Sequence, residues 1–339
     1  MLSLDKGGIE VKRSTWLCVV LVALLSAMPA PTARAAAQKW TVIAGGATKD
    51  FSVVSNAYHP RVLDIAVGDT VTWLIEWFHN VTFLGGQAYP SLDVKEGDKT
   101  YLNPRVFFPV GGNTYDGTEF VNSGVPPQYP KHSAYSLTFT KAGQYAYVCT
   151  IHGPGMGGTI NVKDRASSSP AAVLRQARAD QAATIKAGQA ALASLKAERK
   201  GGAVTVPMIG DLKRGYTVLR FTPAPLVVNR GATVTWTMRD PFEIHTITFS
   251  SGQKPPDFFT PEPQSQGPPK LLLNPKAATP TVTKTYDGAG YINSGILFPP
   301  GVPGNPPTSY SLTFARPGRF EYWCIVHVPE GMKGTIIVK

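Results

Sequence analysis

Cysteine is scarce in this sequence. Among 339 residues only Cys18, Cys149 and Cys324 occur, which excludes a disulfide-dense scaffold. The six methionines form no cluster, so the methionine-rich runs of many metal-sequestering proteins are missing. The six histidines include no His-x-His pair of the kind that builds multi-copper catalytic centres. After Met28 no apolar run is long enough to span a bilayer. Acidic side chains are the minority, 22 against 33 Lys and Arg, for a formal charge of +11. Residues 38–163 carry equal numbers of both signs, so beyond residue 37 the excess sits in residues 164–202 and 203–339. That distribution favours an anionic partner or surface. No nucleic-acid-binding motif accompanies it.

The N-terminus reads as an export signal. Lys12 and Arg13 precede an apolar run from Trp16 to Met28, and small-residue triplets such as Ala33-Arg34-Ala35 follow. This is the pattern of a secretory signal peptide over residues 1–37, with an uncleaved anchor as the alternative. The expected location is therefore periplasmic or extracellular. Cleavage would remove Cys18 and leave Cys149 and Cys324. An oxidising compartment invites a disulfide between such a pair, but each cysteine occupies the same place in a repeated motif. That argues for two equivalent roles.

The repeat is a long internal duplication. Gly68-Asp69-Thr70-Val71-Thr72-Trp73 returns as Gly231-Ala232-Thr233-Val234-Thr235-Trp236. Thr114-Tyr115-Asp116-Gly117 returns as Thr285-Tyr286-Asp287-Gly288, and Tyr135-Ser136-Leu137-Thr138-Phe139 as Tyr310-Ser311-Leu312-Thr313-Phe314. A repeat of this length implies two whole domains, over residues 38–163 and 203–339. Within each, short period-two runs punctuated by Gly, Pro and Asn predict an antiparallel sandwich. Two Gly/Pro-rich stretches, near 84–134 and 250–309, are expected as ordered loops over one end. Residues 164–202 form the linker. Its Ala-rich part, from Ala171 to Lys196, predicts a helix begun at Pro170, with Leu174, Ile185, Leu192 and Leu195 as a thin apolar stripe weakened by Gly188. The expected fold class is all-β, two Greek-key β-sandwiches joined by an Ala-rich α-helical linker.

Near the end of each copy, potential metal ligands gather. The first reads Cys149-Thr150-Ile151-His152-Gly153-Pro154-Gly155-Met156, the second Cys324-Ile325-Val326-His327-Val328-Pro329-Glu330-Gly331-Met332. His79 and His245 lie at the ends of the two Val-Thr-Trp strands. Each copy thus offers two imidazoles, a thiolate and a thioether. Soft sulfur ligands select copper, and two His with one Cys and a weak axial Met form an electron-transfer site. Zinc competes for a His-His-Cys set, but the downstream methionine argues against it. A lone Cys or Met is more often a core residue; the recurrence of all four in order, twice, favours ligation. His59 and His132 lack such company and are expected at the surface or in loops.

These residues resemble those of the cupredoxin family, the plastocyanin, azurin and pseudoazurin type, over both copies but not over the linker or long loops. The resemblance implies one copper held by His79, Cys149, His152 and Met156, and a second held by His245, Cys324, His327 and Met332. It implies that His152 and His327 reach the surface and pass the electron. Asn80 resembles the family's Asn that ties the ligand loops together; Thr246 takes its place in the second copy, where the tie should be weaker. The expected function is electron transfer without catalysis, to and from redox partner proteins of anionic character. Copper sequestration or delivery is the alternative. A two-domain copper oxidase or nitrite reductase is less favoured, because His59 and His132 cannot alone assemble a further catalytic copper site.

Overall fold

A computed structural model describes residues 7–8, 36–126 and 132–339. Most of the expected signal segment, with Cys18, lies outside the described residues. Among them no helix is long and apolar enough to cross a membrane. Residues from Ala37 to Lys339 form one compact unit.

Alternation sets the strands. In Thr70–Glu76 the side chains of Val71, Trp73 and Ile75 are buried, while Thr72, Leu74 and Glu76 are partly exposed on the other face. In Thr233–Arg239 the same positions are Val234, Trp236 and Met238. Period two puts one set of residues on one face of a sheet, and burying that face drives two sheets together. In the first sandwich, one sheet runs in the order Thr114–Tyr115, Ser133–Phe139, Thr70–Glu76, Lys39–Gly45, Tyr58–His59. The other runs Val62–Ala66, Gly153–Lys163, Gly143–Cys149, Thr82–Phe83, Val121–Ser123, Pro109–Val110. The second sandwich repeats the plan. Its duplication extends to single contacts: Thr70 and Thr138 hydroxyls lie 2.8 Å apart, and Thr233 and Thr313 hydroxyls 2.7 Å apart. In the cores, Trp73 meets Tyr147 edge-on and Trp236 meets Tyr322 edge-on.

The two sandwiches interlock. Strand Val53–Ser55, from the first copy, pairs antiparallel with Tyr216–Val218 and so extends a sheet of the second. The helix Pro170–Ser194 packs over this seam. The Ser169 hydroxyl accepts from the Ala172 N–H at its N-terminus, and Pro170 opens its first turn. Of the expected stripe, Ile185, Leu192 and Leu195 pack against Val53, Tyr216 and Val218. Gly188 has a packing role: a Cβ there would stand 2.3 Å from Val53 Cγ1.

The long loops carry more order than expected. Asp93–Glu96 and Lys99–Leu102 form a hairpin, as do Phe259–Glu262 and Lys270–Leu273. The two hairpins pair through Leu272 and Tyr101 into one four-stranded sheet shared by both copies. Lys99 Nζ reaches Glu262 Oε1 at 3.0 Å, the Tyr101 hydroxyl donates to Glu262 Oε2 at 2.9 Å, and Lys270 pairs with Glu96.

Candidate metal centres

Each sheet pair ends in a cluster of donor atoms. In the first copy, His79 follows strand Thr70–Glu76, Cys149 ends strand Gly143–Cys149, and His152 lies in the turn before strand Gly153–Lys163, which carries Met156. Donor atoms of His79, Cys149 and His152 lie within 4.8 Å of one another. Cys149 Sγ is 3.4 Å from His152 Nδ1, and the two Nδ1 atoms are 3.0 Å apart. Met156 is fully buried in the same core cluster as Cys149. The second copy gathers His245, Cys324 and His327 in the same way. There, Sγ is 3.6 Å from His245 Nδ1 and 3.4 Å from His327 Nδ1. Met332 is buried in one core cluster with Cys324, whose N–H donates to the Met332 carbonyl at 3.0 Å.

The outer ring nitrogens explain why these donors face one another. His79 Nε2 lies 3.1 Å from the Ser55 carbonyl, which only accepts, so Nε2 carries the proton. His152 Nε2 lies 2.9 Å from Glu243 Oε1 and is protonated for the same reason. The two Nδ1 atoms are thereby left facing each other and Cys149 Sγ. Nitrogen and sulfur donors this close need a shared proton or a bound cation between them. Burial alone would raise the Cys149 thiol, but the two imidazoles hold it well below its ordinary value. The same balance lowers Cys324. Buried thiolate, two imidazoles and a thioether fit copper by donor chemistry. Gly45 makes room for this packing: its φ is +87°, and a Cβ there would stand 2.2 Å from the His79 ring.

The expected ties are in place. Asn80 Oδ1 accepts from the Thr150 N–H at 2.9 Å, and its amide donates to Thr150 Oγ1 at 2.7 Å and the Val106 carbonyl at 2.8 Å. Thr246 Oγ1 accepts from the Ile325 N–H at 2.8 Å, and the Thr246 N–H donates to Cys324 Sγ at 3.4 Å. His245 Nε2 faces Asp240 Oδ2 at 3.6 Å, too long for a hydrogen bond but close enough to bias the ring electrostatically.

Two expectations fail. His152 and His327 do not reach the surface: they are 4 % and 3 % exposed. Their outer edges turn toward each other across the seam, where Glu243 accepts from His152 through Oε1 and approaches His327 Nε2 through Oε2 at 3.4 Å. Burial alone would raise the Glu243 carboxyl, yet the two imidazoles hold it well below the usual carboxylate range. Trp77, with φ +74° in a region a bulky side chain rarely adopts, turns out of its own sandwich into the core of the second. Its ring stacks on His152 at 5.7 Å and on His327 at 6.3 Å between centroids, and its Nε1 donates to Glu330 Oε1 at 3.1 Å. Phe242 crosses the other way into the first core. His59 is also not a surface residue. It lies buried in strand Tyr58–His59 with Nε2 3.0 Å from the Ser55 hydroxyl, and burial lowers its pKa to about 4. His132 is exposed, as expected.

The sequence held a signal for this seam. From Trp236 to His245 the second copy is three residues longer than the first from Trp73 to His79. That longer segment includes Phe242 and Glu243. The first ligand loop is correspondingly short and glycine-rich: a Cβ on Gly155 would stand 2.5 Å from Leu212 Cδ1 and 3.2 Å from the Phe242 ring. The second loop is one residue longer and carries Glu330, which meets Trp77.

Residues 48–163 match the family model for copper binding proteins of the plastocyanin/azurin family. Amicyanin from Paracoccus denitrificans is 33% identical over 108 residues, covering 31% of this chain and 58% of that protein. The chain thus spans less than two thirds of the length of the curated relative it matches. Among solved structures, the oxidized form of a methionine-to-leucine mutant of amicyanin is 28% identical, covering 37% of this chain and 81% of that one, with a TM-score of 0.23. The reduced state of a proline-to-phenylalanine mutant of amicyanin is 29% identical over 37% and 82%, also with a TM-score of 0.23.

Proposed function

We propose that this cupredoxin-like blue copper protein, whose residues 48–163 carry a plastocyanin/azurin-family copper-binding domain, is an exported electron carrier holding two type 1 copper ions. His79, Cys149, His152 and Met156 would hold one. His245, Cys324, His327 and Met332 would hold the other. The observation that carries this reading is the pair of buried His–Cys–His clusters, whose donor atoms lie within 4.8 Å of one another in each copy. Bound copper supplies one-electron chemistry. The chain's part is to hold thiolate, imidazoles and thioether in a dry core, so that the ligands need not rearrange when charge changes. Asn80 and Thr246 fasten the loop after each cysteine to the loop after each first histidine. The excess positive charge of residues 164–339 favours redox partners with acidic surfaces.

Sequestration or delivery is tested against this by cycling the copper-loaded protein between oxidised and reduced forms beside a Cu(I) chelator. The carrier reading expects both coppers to survive repeated cycles. Transfer of copper to the chelator on reduction would favour delivery.

A further inference from the structure

We propose that the two centres exchange electrons within one chain through His152, Glu243 and His327, which makes the molecule an internal relay rather than two independent carriers. This rests on the two-copper reading above. Glu243 is 5% exposed and lies between the two clusters, one carboxylate oxygen toward each ligand imidazole, at 2.9 Å and 3.4 Å. Each ring is itself a candidate ligand through Nδ1, so the path from one centre to the other is ring, carboxylate, ring, with two short non-covalent steps. Asn56 Nδ2 donates to Glu243 Oε1 at 3.3 Å and helps fix the carboxylate. Trp77 stacks on both rings. The electron balance is simple. One Cu(I) gives an electron and becomes Cu(II), while the other Cu(II) takes it and becomes Cu(I). No bond is made or broken, and no outside reactant is needed. Because neither His152 nor His327 has a free edge, an electron leaving along either ring meets the other centre before it meets solvent.

The test uses the full chain loaded with copper, wild type beside Glu243→Gln, Glu243→Leu and Trp77→Phe, with copper count and visible spectrum recorded for each. A radical pulse delivers less than one electron per molecule, and the phase of redistribution between centres that is independent of protein concentration is followed. Gln can accept from one imidazole, but its amide N–H₂ faces the other imidazole's N–H and breaks that link. Both Glu243 variants should slow the phase by about tenfold or more, in the range set by losing an outer partner of a ligand histidine. A second readout is independent of electron flow. In the Cu(I)-loaded wild type, the Nε2–H protons of His152 and His327 should be visible by NMR and slow to exchange with solvent, and the Glu243 variants should lose that protection. The proposal is overturned if wild type shows no concentration-independent phase, or if Glu243→Gln keeps both coppers and the wild-type rate. It is equally overturned if Trp77→Phe slows the phase and Glu243→Gln does not. A wild type that binds fewer than two coppers defeats the two-copper reading itself, and this proposal with it.

Discussion

Asn80 and Thr246 occupy equivalent positions and do unequal work. Asn80 makes three short hydrogen bonds to Thr150 and Val106, whereas Thr246 satisfies the Ile325 N–H through one hydroxyl. All these groups are buried, so truncation leaves donors and acceptors stranded at about 1–3 kcal/mol each. Asn80→Ala should therefore destabilise the copper-free protein more than Thr246→Ala in denaturant titrations; the reverse order would contradict this account. The outer ring contacts differ as well, a backbone carbonyl for His79 and the Asp240 carboxylate for His245. Contacts beyond the ligands tune a metal's potential. Redox titration should resolve two components, and a single wave unchanged in either cysteine variant would count against that. At His59 the folded pKa, about 4, lies below the ordinary 6.5, because burial disfavours the charged ring. The unfolded chain takes up this proton first. The stability contribution is complete above about pH 6.5 and falls by up to about 3 kcal/mol as pH drops to about 4. His59→Gln should flatten that part of the stability curve relative to wild type, and an unchanged slope would rule the assignment out.

Among the elements, the helix Pro170–Ser194 shows how packing overrides propensity. On an exposed helix, Gly→Ala stabilises by about 1 kcal/mol. At Gly188 the new Cβ would fall 2.3 Å from Val53 Cγ1, a side chain with no exposure and no room to move. Overpacking of this kind costs about 1–3 kcal/mol, so Gly188→Ala should destabilise in chemical denaturation; a net gain would show that the helix does not dock tightly. The helix itself was legible from its alanines, its Pro170 start and its apolar stripe. What it docks against was not, because Val53–Ser55 and Tyr216–Val218 are three-residue strands, too short for a clear pattern, whose pairing joins residues far apart in the chain. The hairpins at 93–102 and 259–273 were hidden for the same reason. Their charged and proline-rich sequences lack an alternating apolar face, and the pairing of Leu272 with Tyr101 joins residues far apart in the chain.

For the whole molecule, the shared sheets and the crossing of Trp77 and Phe242 between cores imply that neither sandwich is complete without the other. Thermal unfolding of the copper-free protein should be one cooperative transition, and two well-separated transitions would contradict that. The duplication and the sandwich class were readable from sequence pattern, and so was the pairing of each Cys with the His three residues on; that His79 and His245 meet them was readable only because the motif recurs in both copies. The closing of the two downstream histidines onto one carboxylate was not, because it depends on a three-residue difference in length whose effect appears only when the copies pack. Two buried thiolate–copper centres in one chain are what the duplicated ligand sets imply. The most direct test is the visible charge-transfer absorbance and copper content of the loaded protein beside Cys149→Ser, Cys324→Ser and the double variant. The parent should hold two coppers, each single variant one coloured centre, and the double variant no colour. A parent that saturates with one copper, its colour abolished by a single substitution, would contradict the two-centre reading.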